Sequence, residues 1–309
     1  KDFIDKKKDF QYIANLVTED HSNVVKEIFK QTDCKVDLIG FHGQTIYHSF
    51  KEKLSIQLGN PKYLSKKTGV KVISSFRQND IQNGGHGAPL APIYHMAIMK
   101  DLKLDLPACF INIGGVANLT FFDSKNLIGF DTGPGNGLMD RFIQSKINKK
   151  YDNNGQLAST GIVNIDMLNR LLANPYFKKP FPKSLDKLFF SSYLDDYLLN
   201  SLSNEDCLAT LSEFTAQSIF IAINQLHKIP KIIVLMGGGQ FNHHLVTRLK
   251  NLLKVNILIS NEINLNGQYV EAELFAYLAA RSVNKLPITF PYTTGVKEAL
   301  LGGKFYLDI

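Results

Sequence analysis

The sequence has few cysteines and no long apolar run. Its three cysteines, Cys34, Cys109 and Cys207, are widely spaced, odd in number and outside any CxxC pair. This pattern indicates reduced thiols and argues against a disulfide framework or a structural zinc site. No apolar stretch approaches the roughly 20 residues that cross a bilayer, and the charged N-terminal segment lacks a signal-peptide core. The sequence therefore predicts a cytoplasmic protein that does not bind a membrane.

Two common nucleotide-binding signatures are also missing. Neither the GxxxxGK[ST] phosphate loop nor the GxGxxG fingerprint occurs, which disfavours P-loop and dinucleotide-binding folds. There is no low-complexity stretch and no short repeat. The net charge of +7 is spread along the chain without a stripe of base-stacking aromatic residues. Nucleic acid is therefore not expected as a partner.

What remains is the composition of an ordinary globular protein, with 309 residues of which 44% are hydrophobic and 20% charged. That length suits two packed domains. Apolar runs typical of strands alternate with helical patterns, which predicts an α/β fold. The expected strands are residues 35–41, 70–76, 108–115 and 231–239, and the expected helices are residues 8–30, a helix starting at Asn60 and Pro61, 138–147, and 203–228. We expect a first domain of residues 1–106 and 287–309, and a second domain of residues 107–286.

Two of the expected strands run directly into glycines, in ACFINIGG (108–115) and KIIVLMGGG (231–239). Glycines at the carboxyl end of a strand let backbone N–H groups approach a bound anion, and ligands of such sheets bind at that end. Each glycine group alone is equally consistent with a tight turn. Their occurrence in opposite halves of the chain favours a nucleotide held between two related domains.

The segment FDTGPGNGLMD (130–140) places Asp131 at the end of an expected strand, before a Gly-Pro-Gly turn and a helix. A helix N-terminus makes its surroundings electropositive, so we expect the Asp131 carboxylate to stay ionised and to suit a general base. The alternative is that Asp131 only caps the turn through its side chain. Asp140, one turn into the helix, is interpreted as structural.

A second polar segment, FRQNDIQNGGHGAPLAP (76–92), combines Arg77 and Asp80 with three glycines. The planar donors of Arg77 suit hydroxyl, carboxylate or phosphate groups, and an ion pair with Asp80 is the alternative. His86 lies among the glycines, where it lines a pocket or is simply solvated. The histidines of the N-terminal third match no metal-ligand spacing, so a metal site is not expected. The four considered are His42, His48, His86 and His95.

Taken together, these segments resemble the anhydro-N-acetylmuramic acid kinases, a branch of the actin-like, sugar-kinase and Hsp70 ATPase superfamily. The matching stretches occur in family order and cover nearly the whole chain. They are GFHGQTIYH (40–48), SIQLGN (55–60), FRQNDIQNGGHGAPLAP (76–92), INIGGVANLT (111–120), GFDTGPGNGLMD (129–140), NPYFKKPFPKS (174–184), LMGGGQFN (235–242) and YVEAELFAYLA (269–279).

The resemblance implies two RNase H-like domains with ATP and sugar in a central cleft. It further implies that 1,6-anhydro-N-acetylmuramic acid, water and ATP, with Mg²⁺, give N-acetylmuramic acid 6-phosphate in cell-wall (murein) recycling. By this resemblance Asp131 would deprotonate the water, and the protein would be a homodimer. The sugar would be bound by Gln57, Arg77, Asp80, Gly84, Gly85, His86, Gly87 and Pro89. The nucleotide would be bound by Gly114, Gly115, Asn118, Gly133, Gly135, Asn136, Gly237, Gly238, Gly239, Asn242 and Glu271.

The chain departs from the family pattern in one segment and three single positions. It contains no glycine- and serine-rich phosphate loop resembling MSGTSxDGxD, so we expect either a fragment or the loss of the first phosphate contacts. His86 stands where the family usually has Gln, Asn60 where it often has Asp, and Asn79 where it is often basic. Two other interpretations remain open. One is a non-catalytic sugar- or nucleotide-binding module of the same fold, and the other is a hydrolase that uses Asp131 with a second carboxylate such as Asp80.

Overall fold

The computed structural model describes residues 2–33, 35–186, 189–193, 201–267 and 269–307. These residues form a mixed α/β structure, so the predicted α/β class is confirmed. The chain divides into two compact units, Lys1–Tyr94 with Tyr269–Ile309, and His95–Gln268. The sequence placed these divisions later, after residues 106 and 286. Over the ranges given above, no helix is long and apolar enough to cross a membrane.

The helices and strands are numbered here in chain order. The helices are α1 (Asp2–Gln31), α2 (Pro61–Thr68), α3 (Gln78–Gln82), α4 (Pro92–Asp101), α5 (Gly137–Ile147), α6 (Ile165–Leu172), α7 (Asn204–Asn224), α8 (His243–Leu253), α9 (Val270–Val283) and α10 (Pro291–Thr294). The strands are β1 (Leu38–Gly40), β2 (Gln44–Ser49), β3 (Leu54–Leu58), β4 (Lys71–Ser74), β5 (Ala108–Ile113), β6 (Val116–Phe122), β7 (Leu127–Pro134), β8 (Ile232–Met236), β9 (Asn256–Ile259) and β10 (Lys304–Tyr306).

The first unit contains a three-stranded sheet in the order β1-β4-β10 and a separate β2–β3 hairpin. Strand β4 pairs parallel with β1 and antiparallel with β10. Helix α2 begins as predicted, because the side chain of Asn60 accepts a hydrogen bond from the Tyr63 amide and Pro61 occupies the first turn.

The second unit is built on a five-stranded sheet in the order β7-β6-β5-β8-β9. Strands β5, β8 and β9 are parallel, whereas β6 is antiparallel to both of its neighbours. Numbered within this unit, the order is 3-2-1-4-5 with the second strand reversed, which is the arrangement of an RNase H-like domain. Side chains of the sheet and of α7 form its core, including the fully buried Ile111, Phe121, Phe130, Ile219 and Leu235.

Helix α7 agrees with the sequence prediction at its N-terminal end and differs from it at its C-terminal end. Ser203 caps it, as predicted, by accepting a hydrogen bond from the Asp206 amide. The helix ends at Asn224 with Gln225 as its C-cap, four residues before the predicted end at Lys228. The side chain of Gln225 donates to the Phe177 carbonyl at 2.6 Å, so a tertiary contact follows directly on the last helical turn.

Candidate active site

The glycine turn after β5 and the loop after β7 are hydrogen-bonded to each other. The Gly115 carbonyl accepts from the amides of Gly135 (3.1 Å) and Gly137 (3.2 Å), and the Gly114 carbonyl accepts from Asn136 (2.7 Å). The structure therefore brings together two segments that the sequence assigned to the same ligand. It also engages the amides of Gly135 and Asn136, two residues that the resemblance assigns to the nucleotide, in hydrogen bonds within the protein.

The glycines of these loops serve different purposes. A Cβ on Gly135 would lie 2.2 Å from the Gly114 carbonyl oxygen, and one on Gly133 would lie 2.5 Å from the hydroxyl of Ser218 on α7. A Cβ on Gly115 would meet nothing within 4 Å. Gly133 and Gly135 are therefore required by close packing, whereas Gly115 is free to face a ligand. Asn118 lies on β6, directly opposite Asp131 on β7.

We expect Gly135→Ala to lower the free energy of unfolding by about 1–3 kcal/mol, because the added methyl group must push backbone atoms apart. Gly115→Ala is the matched control and should change stability by less than about 0.5 kcal/mol. Urea unfolding of both variants checks the difference. Equal stabilities would show that the tight contact between the two loops does not exist in solution.

The glycines after β8 border two cavities of the second unit. Gly237 has φ of +74°, a left-handed conformation that favours glycine, and a Cβ on Gly239 would lie 2.3 Å from the Ile113 side chain. One cavity of about 630 Å³ is lined by Gly237, Gly238, Gln240, Phe241, Asn261, Asn264, Leu265, Asn266 and Gly267. The other, of about 460 Å³, is lined by Asn136, Met139, Asp140, Tyr151, Asp152, Asn153, Asn154, Gly238, Phe241 and Asn242. Both volumes lie within the range of small-molecule sites.

Three of these cavity residues differ from the sequence interpretation. The side chain of Asn242 caps α8, where its oxygen accepts from the Leu245 amide at 3.0 Å and is therefore engaged within the protein. Phe241 is half exposed and lines both cavities, although the sequence analysis gave it no role within LMGGGQFN. Asp140 borders the smaller cavity, and burial raises the pKa of its carboxyl group to about 6. The sequence signal that could have indicated Asp140 as a site residue was its position one helical turn after Asn136.

Asp131 lies inside β7 and not at its end. The strand continues to Pro134 because a bulge at Thr132 lets two extra residues pair with β6, and Thr132 donates to the Ala117 carbonyl. Such bulges redirect neighbouring side chains and are frequent beside active sites. The backbone and the carboxylate of Asp131 therefore sit on the sheet itself, which fixes them more firmly than a loop would.

The carboxylate of Asp131 is held by a segment some fifty residues downstream. The Leu185 amide donates to Asp131 Oδ2 at 2.7 Å, the Asp131 amide donates to the Lys183 carbonyl at 3.0 Å, and the Tyr176 hydroxyl donates to the Asp131 carbonyl at 2.5 Å. Burial raises the pKa of Asp131 to about 7, and the Leu185 hydrogen bond opposes that rise. The expectation of a permanently ionised carboxylate was wrong, because desolvation outweighs any effect of the helix N-terminus.

In the first unit, Arg77 and Asp80 bond to the carbonyl and the amide of the same residue, Gly87. Arg77 donates to the Gly87 carbonyl at 2.6 Å, while the Gly87 amide donates to Asp80 Oδ1 at 2.6 Å. The second oxygen of Asp80 accepts from the hydroxyl of Thr294 at 2.5 Å. Asp80 is only 1% exposed, so it positions the 84–89 loop from beneath. The alternative of an Arg77–Asp80 ion pair is wrong for the ranges that the structure describes.

Arg77 is oriented by His42, which the sequence had left without a role. Arg77 Nε donates to His42 Nε2 at 3.0 Å, and His42 Nδ1 bonds to the Gly43 carbonyl at 2.9 Å, so the ring is neutral with its proton on Nδ1. Burial, followed by the charge of Arg77, lowers the pKa of His42 to about 4. The ring also stacks on Phe275 with centroids 4.3 Å apart. Glu271, exposed on α9 in this same unit, favours the charged form of Arg77, whose pKa burial lowers to about 10.

The remaining predicted sugar contacts are divided between a cavity and a loop. A polar cavity of about 270 Å³ in the first unit is lined in part by His42, Gln57, Ser75, Gln78 and Tyr306. Gln57 donates to the hydroxyls of Thr45 and Ser55. In the 84–89 loop Gly84 is exposed, Gly85 and Gly87 are buried and Pro89 is half-buried. His86 is not simply solvated, because its ring lies 4.5 Å from that of Phe50 and burial lowers its pKa.

Comparison with known proteins shows the family of this chain. The family model for anhydro-N-acetylmuramic acid kinase matches residues 7–307. This chain belongs to that family. It is 38% identical to the anhydro-N-acetylmuramic acid kinase of Pelagibacter ubique over 98% of this chain and 82% of that protein. It is 41% identical to the enzyme of the same name from Phenylobacterium zucineum over 87% of this chain and 73% of that protein.

Similarity to solved structures is weaker. Xylulose kinase from Lactobacillus acidophilus is similar over 82% of this chain and 53% of its own, with 14% sequence identity and a TM-score of 0.41. The family assignment therefore rests on the sequence relatives and on the matching family model.

Proposed function

We propose that this protein uses ATP and water to convert 1,6-anhydro-N-acetylmuramic acid to N-acetylmuramic acid 6-phosphate, a step of murein recycling. The observation that carries the proposal is the carboxylate of Asp131. Three of the four polar atoms of Asp131 are bonded to one segment, and Oδ1 has no partner in the part of the chain that the structure describes. A fixed, half-buried carboxylate with one oxygen available and a pKa of about 7 suits a general base.

The proposed reaction needs one general base, Asp131. Asp131 takes a proton from water as the water oxygen bonds to the anomeric carbon, and the bond from that carbon to O6 breaks. The electron pair left on O6 forms a bond to the γ-phosphorus of ATP, and ADP leaves with the pair of the broken phosphoanhydride bond. Asp131 then returns its proton to solvent. Phosphoryl transfer needs mainly positioning and charge stabilisation, which is consistent with glycine loops carrying few reactive groups.

ATP and Mg²⁺ are assigned by their fit to the second unit. Gly115 and Gly238 are exposed beside loops whose cavities suit a nucleoside and its phosphates. Mg²⁺ usually keeps several waters and binds phosphate oxygens with one or two carboxylates. Among the described residues no group of three or more His, Cys, Asp or Glu is placed to hold a metal. We therefore assign Mg²⁺ to the nucleotide phosphates, where it would neutralise charge.

The sugar is assigned to the first unit through Arg77, Gln57 and the 84–89 loop. Arg77 uses Nε and one terminal nitrogen within the protein, which leaves donors on the guanidinium for a carboxylate or hydroxyl. The acid group of a muramic sugar is a suitable partner for that charge. Gln57 borders the polar cavity beside His42 and offers its amide oxygen.

One assay tests the proposal against its alternatives. The protein is incubated with the anhydro sugar, with and without Mg·ATP, and both the sugar 6-phosphate and ADP are followed. We expect both products in equal amounts and only with ATP. Ring-opened sugar without ATP would support a hydrolase, and binding without turnover would support a non-catalytic module. The hydrolase is disfavoured, because both oxygens of Asp80 are bonded within the protein.

The pKa of Asp131 sets the expected pH dependence. Since a base works only when it is unprotonated, kcat/KM should fall tenfold per pH unit below about pH 7. Initial rates between pH 5.5 and 8.5 at saturating Mg·ATP check this. A kcat/KM that stays constant down to pH 5.5, as expected for an exposed aspartate that titrates near pH 4, would contradict the desolvated carboxylate.

A further inference from the structure

Residues 174–185, called the strap below, wrap around Asp131 and are themselves fastened at one point. The ammonium group of Lys183 donates to the carbonyls of Tyr176 (3.4 Å) and Lys179 (3.1 Å) and to Gln225 Oε1 (3.0 Å). Lys183 is 6% exposed, and all three of its donors are engaged. Its charge is therefore not available to a substrate, and its contacts tie the strap to itself and to the end of α7.

Aromatic rings and a second hydrogen bond complete the anchor. The Lys183 nitrogen lies 5.5 Å from the ring centroid of Phe130 and 4.9 Å from that of Tyr176. Such contacts stabilise a cation that burial would otherwise disfavour. Gln225 returns a hydrogen bond from its amide to the Phe177 carbonyl at 2.6 Å. The buried Lys183 ammonium therefore holds the strap, because it bonds both to carbonyls of the strap and to Gln225 at the end of α7.

We propose that Lys183 is a positioning residue, which sets the basicity of Asp131 by holding the strap so that the Leu185 amide reaches the carboxylate. The inference rests on the proposed function only in calling Asp131 the base. The Leu185 N–H is the contact that stabilises the charged carboxylate against burial. Lys183 lies two residues before Leu185, and its own carbonyl accepts the Asp131 amide. Any shift of the Lys183 anchor therefore moves both hydrogen bonds.

The causes of the shifted pKa of Asp131 are burial and the Leu185 hydrogen bond, without the charge of a neighbouring side chain. Within the strap, the titratable side chain in contact with Asp131 is that of Tyr176, whose hydroxyl donates to the Asp131 carbonyl, and the Lys183 ammonium lies over the Tyr176 ring. Asn118, which faces Asp131 on β6, carries no charge. Burial, followed by the neighbouring Lys179, lowers the pKa of Lys183 to about 8, so its ammonium form prevails at neutral pH. The position of the strap, which sets whether the Leu185 amide reaches the carboxylate, is thus the main influence of the strap on the pKa of Asp131.

The test measures the Asp131 carboxyl directly by ¹³C NMR titration of protein labelled in aspartate, with Asp131→Asn to identify its signal. In Lys183→Met the loss of three donors should raise the pKa of Asp131 by at least 0.5, and the smaller ionised fraction should lower kcat at pH 6 by at least about threefold. The KM values for sugar and ATP should change less than about twofold, because no substrate contact is lost. Lys178→Met is the matched control, since Lys178 is exposed in the same strap, and it should leave the pKa and kcat unchanged.

A second variant separates geometry from charge and covers the case in which Lys183→Met does not fold. Gln225→Leu removes one acceptor and one donor from the anchor but keeps the Lys183 ammonium, and it should shift the pKa of Asp131 in the same direction by less. An unchanged pKa in a folded Lys183→Met, or in Gln225→Leu if only that variant folds, would overturn the inference. Because the titration needs no turnover, a shifted pKa in a protein without kinase activity would support the strap and refute the proposed function.

Discussion

Replacing Asp131 with asparagine is expected to lower kcat by about 10²- to 10⁴-fold while the fold and the affinity for ATP are kept. Asparagine has the shape of aspartate and retains an oxygen that accepts from the Leu185 amide, so the strap stays in place. Its amide does not accept a proton from water at neutral pH. The loss therefore falls on the chemical step, and steady-state kinetics with calorimetric titration of ATP separate the two quantities.

A control variant and a measurement of stability against pH accompany this prediction. Asp101→Asn, at an exposed position on α4, is the matched control and should retain normal turnover. The raised pKa of Asp131 means that the native state binds its proton more tightly than the unfolded chain does. This contribution to stability is therefore complete below about pH 4 and lost as the pH rises through about 7. Between pH 4 and 7, Asp131→Asn should therefore lose less thermal stability than the wild type does. Near-normal turnover in Asp131→Asn would refute the assignment of the base.

The features that sequence predicted correctly depend on near neighbours. The caps at Asn60 and Ser203 bond to an amide three residues away, so a local pattern is enough to find them. The strands at 108–113 and 232–236 were likewise visible as β-branched runs that end in glycines. The resemblance to a known family then ordered these segments, which no single motif achieved.

The features that sequence did not predict depend on distant partners. The pKa of Asp131 is governed by burial and by an amide 54 residues away, and neither is visible in the motif FDTGPGN. The extension of β7 to Pro134 follows from a bulge that only pairing with β6 reveals. Lys183 gave no signal beyond its place in NPYFKKPFPKS, because a lysine in a loop is ordinarily a solvated one.

The buried carboxylate of Asp80 has the largest expected effect on stability. In Asp80→Ala, the Gly87 amide and the Thr294 hydroxyl each lose their acceptor in a buried place. An unsatisfied buried donor costs about 1–3 kcal/mol, so the loss of two acceptor contacts should lower the free energy of unfolding by roughly 2–6 kcal/mol. The partner Thr294 lies 214 residues away, which ties α10 to the loop after α3. Urea unfolding measures the loss, and KM for the sugar should rise because Gly87 also holds Arg77.

Asp80→Asn is the informative companion of that variant. Its amide oxygen accepts from the Gly87 N–H, and its amide nitrogen donates to the Thr294 hydroxyl, which rotates to accept. Both contacts survive, so stability should fall by less than about 1 kcal/mol and turnover should change less than about fivefold. A carboxylate that worked as an acid or base would instead lose about 10²- to 10⁴-fold on this change. Asp80→Asn therefore decides between a loop-positioning carboxylate and the second catalytic group that a hydrolase requires, and a large loss of turnover in a stably folded variant would favour the hydrolase.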